Sequence, residues 1–326
     1  MNKFGAKTTL LVLECVESNK SLQQVELICE HALAANIARN DLLIAIGGGV
    51  CSDLVTMAAS FIRRGVRHIR IPTTLIGQID AAIGIKGAVN FHSKKSFLGC
   101  FYAPTDVSID PSMLRSLQKD AIRYGLAEIL KIGIVLDKYL YHLVDQFGIE
   151  LIDSNFQAND IASGEILERA ITGMLNQLKT NLYEDKTLER LVDFGHTFSP
   201  SLESASKYEI PHGHAVAIDI ALSASIASEL DVLNRSDRDH IITLLGRLGL
   251  QTNSPLLTWP LCRESLATAS MHRGGRPNLV IPTSIGCGDF IRTELEISDA
   301  VIRCALETLN AATTQPETSS SVLAHA

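Results

Sequence analysis

Apolar residues change their spacing about a third of the way along this chain, and the change divides it in two. In the first part, short apolar runs alternate with helical stretches. TTLLVLEC (8–15) predicts a short buried strand, and SLQQVELICEHALAAN (21–36) repeats apolar positions at helical spacing behind Ser21, a candidate N-cap. LLIAIGGG (42–49) predicts a continuous apolar strand running into three glycines. A strand that is apolar on both faces belongs in a covered parallel sheet. Residues 50–63 predict the next helix, HIRIPTT (68–74) a strand, and VSIDPSMLRSL (107–117) the last strand and turn. From about Asp120 helical patterns dominate: AIRYGLAEILKIGIVLD, GEILERAITGMLNQLKTNL, HAVAIDIALSASIASEL and DRDHIITLLGRLG. The expected architecture is α/β plus α: an N-terminal Rossmann-like domain over 1–118, an all-helical domain over 119–310, and a polar tail over 311–326.

Composition narrows the class. With 326 residues, 46% hydrophobic and 20% charged, the chain can bury the cores of two domains and is too apolar for disorder. A formal net charge of -7 argues against a nucleic-acid partner, which calls for a basic face, so any anion must bind in a local pocket. No apolar run reaches the roughly 20 residues that span a bilayer, and no charged-then-apolar leader opens the sequence, so a cytoplasmic location is expected. The seven cysteines contain no C-x-x-C pair, which fits a reducing compartment and offers no structural zinc site.

Three distant stretches each offer one good divalent-metal ligand: Glu128 in YGLAEILKIG, His196 in DFGHTFSP and His212 in PHGHAVAID. Two histidines and a carboxylate suit a catalytic metal because they leave coordination positions for a substrate oxygen. Lys131 follows Glu128 by one helical turn, which places both on one face. Gly47, Gly48 and Gly49, with Asp53 after them, form a candidate cofactor turn: glycine lets a backbone approach a pyrophosphate, and the following helix points N–H groups at its charge. The G-x-G-x-x-G spacing is absent, and a plain strand-to-helix turn would use glycine too. Downstream, Thr73 and Thr74 can donate hydroxyl hydrogen bonds, and Asp80 and Lys86 lie in a glycine-containing polar segment.

The stretches ECVESNK, IGGGVCSD, RIPTTLIGQIDAAIGIKGAVN, KKSFLGCF, GLAEILKIG, DFGHTFSP, HGHAVAID and MHRGGRPNLVIPTSIG resemble, in order, the dehydroquinate synthase superfamily, the sugar phosphate cyclases. The resemblance implies an NAD-binding Rossmann-like domain, a helical metal domain holding Zn2+ or Co2+, an active site between them and a homodimer. It also implies a reaction that oxidises an alcohol with NAD, eliminates phosphate, reduces the ketone again and closes a carbocycle by an aldol step. Its wording is most similar to the branch that cyclises sedoheptulose 7-phosphate. By the same resemblance, Glu128, His196 and His212 would hold the metal. Lys131, Lys86, Asp80 and Lys95 would serve catalysis, Glu17 and Lys20 would join the cofactor residues, and Lys179 and Asp193 would face the substrate.

Departures from the dehydroquinate branch carry information. Pro200 stands where that branch has a second histidine, and proline can neither ligate metal nor relay a proton. Asp193 replaces an asparagine, which suits neutral sugar hydroxyls and repels a carboxylate. His214 stands where relatives often have glutamate. The family's first strand-helix-strand unit is not present ahead of ECVESNK, which predicts an exposed sheet edge and a reduced adenosine cradle. Beside this cyclase, another cyclase of the superfamily (dehydroquinate synthase-like or 2-deoxy-scyllo-inosose synthase-like), a metal-dependent polyol dehydrogenase, and a truncated, non-catalytic or impaired remnant stay open.

Overall fold

The computed structural model of the protein describes residues 7–92 and 94–313. Its chain folds into two compact units, Met1–Gly125 with Glu150–Lys186, and Leu126–Ile149 with Thr187–Ala326. The first unit holds helix α1 (Leu22–Ala34), strand β1 (Leu42–Gly47), helix α2 (Gly49–Phe61) and strand β2 (Arg67–Pro72). A wide π-type turn at Gly77–Ala81 leads into strands β3 (Lys86–Phe91), β4 (Lys94–Phe101) and β5 (Asp106–Val107). β2 lies between β1 and β5 and pairs with both in parallel, Ile44 opposite Ile69 and Arg70 opposite Val107, while β3 and β4 form an antiparallel hairpin. Val25 and Ile28 of α1, Ala45 of β1, Leu54, Val55, Met57 and Ala58 of α2, and Val89 of β3 close one apolar core. Their spacing explains the elements: Val25, Ile28 and Ala32 recur on one face of α1, whereas α2 is buried nearly all round.

Helix α3 (Lys119–Val135) and helix α4 (Lys138–Asp153) follow, then α5 (Asp160–Leu178), which belongs to the first unit. The second unit continues with α6 (Ser199–Ala205), α7 (His212–Glu229), α8 (Arg235–Arg247), α9 (Trp259–His272), an antiparallel hairpin of β6 (Leu279–Ser284) and β7 (Cys287–Ile291), and α10 (Asp299–Thr313). α7 is buried at Gly213 and from Ala215 to Ser228, as a helix that is apolar on every side must be. Among the described residues, no helix is long and apolar enough to cross a membrane.

Several expectations are corrected. Residues 8–15 form no strand: Leu11, Leu13 and Cys15 pack on the core, and Leu10 and Val12 are exposed at 81% and 82%. An extended run becomes a strand only through a hydrogen-bonded neighbour, and β1 pairs with β2 instead. β1 is not covered throughout, since Ile46 is exposed. Ser21 stands at the N-cap of α1 without a side-chain capping bond. The helical half carries the β6–β7 hairpin. α10 extends into the predicted tail as far as Thr313, and residues 314–326 lie outside the described residues.

Candidate metal and nucleotide sites

In the second unit, one ligand atom from each of Glu128, His196 and His212 lies within 4.8 Å of the other two. Glu128 Oε1 is 3.1 Å from His212 Nε2 and 3.5 Å from His196 Nε2. The opposite nitrogen of each ring settles its tautomer. His212 Nδ1 lies 2.8 Å from Glu203 Oε1 and His196 Nδ1 lies 3.1 Å from the Phe194 carbonyl. Both partners are acceptors, so Nδ1 carries the proton in each ring and the Nε2 lone pairs aim at a carboxylate oxygen. Three converging acceptors repel one another unless a cation lies among them, and the donor set fits a divalent ion such as zinc.

Electrostatics agree with that fit. Burial alone would raise the Glu128 pKa, but the Lys131 ammonium, 2.6 Å from Oε2, and the two imidazoles hold it well below the usual carboxylate range. Burial also opposes the His212 cation, yet Glu128 and Glu203 outweigh it and bring that pKa up to about 9. Burial and Lys131 lower the pKa of His196.

The loop that presents His196 is fixed from below. The buried Asp219 carboxylate accepts the backbone N–H groups of Thr197, Phe198 and Ser199 at 2.8, 2.5 and 2.8 Å, which ties this loop to α7. Gly195 adopts a left-handed φ of +74°, and a Cβ there would lie 3.0 Å from Ile220. Pro200 falls in the first turn of α6, where its missing N–H costs nothing. Arg273 donates to the Thr197 hydroxyl and to the Pro277 and Asn278 carbonyls. Asp193 beside this loop is not bare: Arg190 donates to it and Arg273 Nη2 stands 4.0 Å away, and Arg190 holds its pKa down against burial. His214 Nδ1 accepts the Gln251 N–H, outside the three-ligand set.

In the first unit the glycine turn opens α2. Gly48 is the N-cap and no side chain caps the helix, so its first-turn N–H groups suit an anion such as a pyrophosphate. Thr73 donates its N–H to the Gly47 carbonyl at 2.9 Å, and Thr74 Oγ1 accepts the Gly77 N–H. Packing also requires the glycines: a Cβ at 47, 48 or 49 would lie 2.6, 3.1 or 3.1 Å from Cys51, Thr74 or Ala81. Asp53 on α2 pairs with Lys20 at 2.5 Å, Lys20 also donates to Ser96, and Asn90 donates to Glu17. These contacts gather Glu17, Lys20 and Asp53, and place Thr73 and Thr74 against the glycines. Asp80 lies in the π-type turn next to Ala81, and Lys86 opens β3 with its ammonium paired to Glu184. Lys95 is exposed on β4, and Lys179 bonds Asn176 of its own helix. Sequence reasoning overlooked Glu203, Asp219 and Arg70. An acid inside the apolar run HAVAIDIALSASIA, and an arginine between two isoleucines of a buried strand, were the available signals.

A parallel sheet with an uncapped glycine turn, joined in one chain to a helical unit with a Glu-His-His ligand set, defines a metal-dependent enzyme of the nucleotide-binding α/β class. Within that class the chain belongs to the 3-dehydroquinate synthase family. The family's N-terminal region matches residues 10–124 and its C-terminal region matches residues 125–271. It is 39% identical to a 2-epi-5-epi-valiolone synthase of Streptomyces hygroscopicus subsp. jinggangensis over 91% of this chain and 73% of that protein. The solved structure of 2-epi-5-epi-valiolone synthase from strain 5008 of that organism, with NAD+ and Zn2+ bound, superimposes with a TM-score of 0.87 at 38% identity, covering 92% of this chain and 82% of that one. A 2-deoxy-scyllo-inosose synthase solved with carbaglucose-6-phosphate, NAD+ and Co2+ shares the fold, with a TM-score of 0.73 at 23% identity over 88% and 80% of the two chains.

Proposed function

We propose that this protein cyclises sedoheptulose 7-phosphate to 2-epi-5-epi-valiolone with release of inorganic phosphate and no net redox change. The observation that carries this is the Glu128, His196 and His212 set, its tautomers fixed by Glu203 and a backbone carbonyl, in a chain so similar to a synthase of that name. Zinc held there would polarise a sugar oxygen, and NAD at the glycine turn would take up and return a hydride.

The chain's own groups do the remaining work. Ionised Glu128 and the two Nε2 lone pairs would hold the cation, and a three-ligand set would leave a position for a substrate oxygen. Buried Lys131 brings a fixed positive charge to the same place, where negative charge develops on the substrate. Lys86, Lys95, Lys20 and Lys179 are the candidate phosphate and substrate contacts, and Asp80 of the π-type turn is a candidate proton carrier. Asp193 supports a substrate without a carboxylate, because this internal carboxylate already engages Arg190. A homodimer and a cytoplasmic location belong to the same proposal, and sedimentation of the purified protein tests the first.

The reaction itself is tested by incubating zinc-supplemented protein with sedoheptulose 7-phosphate and NAD. Inorganic phosphate, the mass of a C7 cyclitol and no lasting NADH are expected. Accumulating NADH without phosphate would replace the proposal with a polyol dehydrogenase. Phosphate release with a different product mass would move it to another cyclase of the family.

A further inference from the structure

Arg70 is fully buried on β2, and among the described residues its hydrogen bonds go to carbonyls and a hydroxyl, the Asp53 carboxylate acting on it through its charge alone. Its Nη1 donates to the carbonyls of Ala82 and Gly84 at 3.2 and 2.7 Å, and Nη2 donates to that of Lys86 at 3.0 Å. The chain between the π-type turn of Asp80 and the first residue of β3 is therefore wrapped around one planar guanidinium. Nε and Nη2 also donate to Thr56 Oγ1 at 3.2 and 2.8 Å, and that hydroxyl donates to the Ser52 carbonyl at 2.7 Å. Thr56 in turn presses on the start of β3, since a Cβ on Gly87 would lie 2.7 Å from its Cγ2. Position 86 is set from both sides.

Burying a guanidinium costs several kcal/mol that apolar packing would avoid, so such a group is kept for the geometry it imposes. Only an arginine offers donors enough, in a rigid fork, for three carbonyls and a hydroxyl. We infer that Arg70, through the carbonyls of residues 82, 84 and 86, is the positioning residue that sets the Lys86 ammonium for the substrate. This inference rests on the cyclase reading for the role of Lys86, though not for the geometry.

The test uses the full chain with zinc and NAD, and the variants Arg70→Lys and Thr56→Val. Lysine keeps the charge but cannot span three carbonyls. Valine keeps the volume of Thr56 and removes the hydroxyl that anchors Arg70. In Arg70→Lys, amide exchange over residues 82–86 should rise about tenfold while β1 is unchanged, and acetylation of Lys86, read by mass spectrometry, should change about threefold. kcat for phosphate release should fall roughly 30-fold, with NAD affinity held within about twofold. Thr56→Val should move the same readouts in the same direction by a smaller factor, and it decides the matter if Arg70→Lys does not fold. Exchange rising uniformly through the first unit, or unchanged Lys86 labelling and kcat, would overturn the inference. Wild-type protein that releases no phosphate would sink the cyclase reading instead, leaving exchange and labelling to judge Arg70.

Discussion

His68 has no solvent exposure: its Nε2 lies 3.2 Å from the Thr56 hydroxyl, which also donates to Ser52 and accepts from Arg70, and its Nδ1 is buried without a hydrogen-bond partner among the described residues. Burial, with the nearby Arg70 charge, lowers the His68 pKa from 6.5 to about 4. The unfolded chain binds this proton more readily than the folded one, so folding stability falls as pH drops from 6.5 toward 4. The loss is at most about 3 kcal/mol. Urea midpoints at pH 7 and pH 4.5 should differ less in His68→Gln than in wild type, and equal differences would refute the assignment. Glu203 makes a separate prediction. Glu203→Gln should weaken zinc binding about tenfold in chelator competition, because the carboxylate that fixes and enriches the His212 ring is gone. At this scale the residues that come together as the candidate metal set could be singled out because each stands in a distinctive short motif. Glu203 and Arg70 were not, because their roles depend on which segments the fold brings beside them.

Elements with a strong helical period were legible at nearly their true length, α3, α5, α7 and α8 among them. Extended segments were harder to read. Residues 8–15 have strand composition, but a strand needs a neighbour that no local pattern reveals, and the β3–β4 hairpin was hidden in a segment read only as polar and glycine-containing. Helix glycines separate two effects that sequence alone cannot. On α3 a Cβ at Gly133 would lie 2.9 Å from the Tyr141 backbone nitrogen of α4, and backbone cannot yield. Gly133→Ala should therefore lower stability by about 1–3 kcal/mol. Gly164 on α5 is exposed with nothing within 4 Å of its Cβ position. Gly164→Ala should raise stability by about 0.5–1 kcal/mol through helix propensity. Thermal midpoints of the two variants should move in opposite directions.

Every proposed metal ligand belongs to the second unit. Removing zinc with a chelator should abolish phosphate release and speed amide exchange around residues 128, 196 and 212, while β1 and β2 of the first unit keep their protection. Equal acceleration in both units would contradict this placement. The two-part plan was readable from the switch in hydrophobic spacing. The return of Glu150–Lys186 to the first unit was not, because α5 carries the same helical pattern as its neighbours in sequence. That return has a consequence for synthesis on the ribosome. The first unit lacks its last piece until Lys186 has been made, and Glu128 must wait through 84 further residues for His212. A nascent chain halted before that point has no complete cation site and carries helix α3 without the partners that bury Glu128, so metal loading is a late event in the life of each molecule.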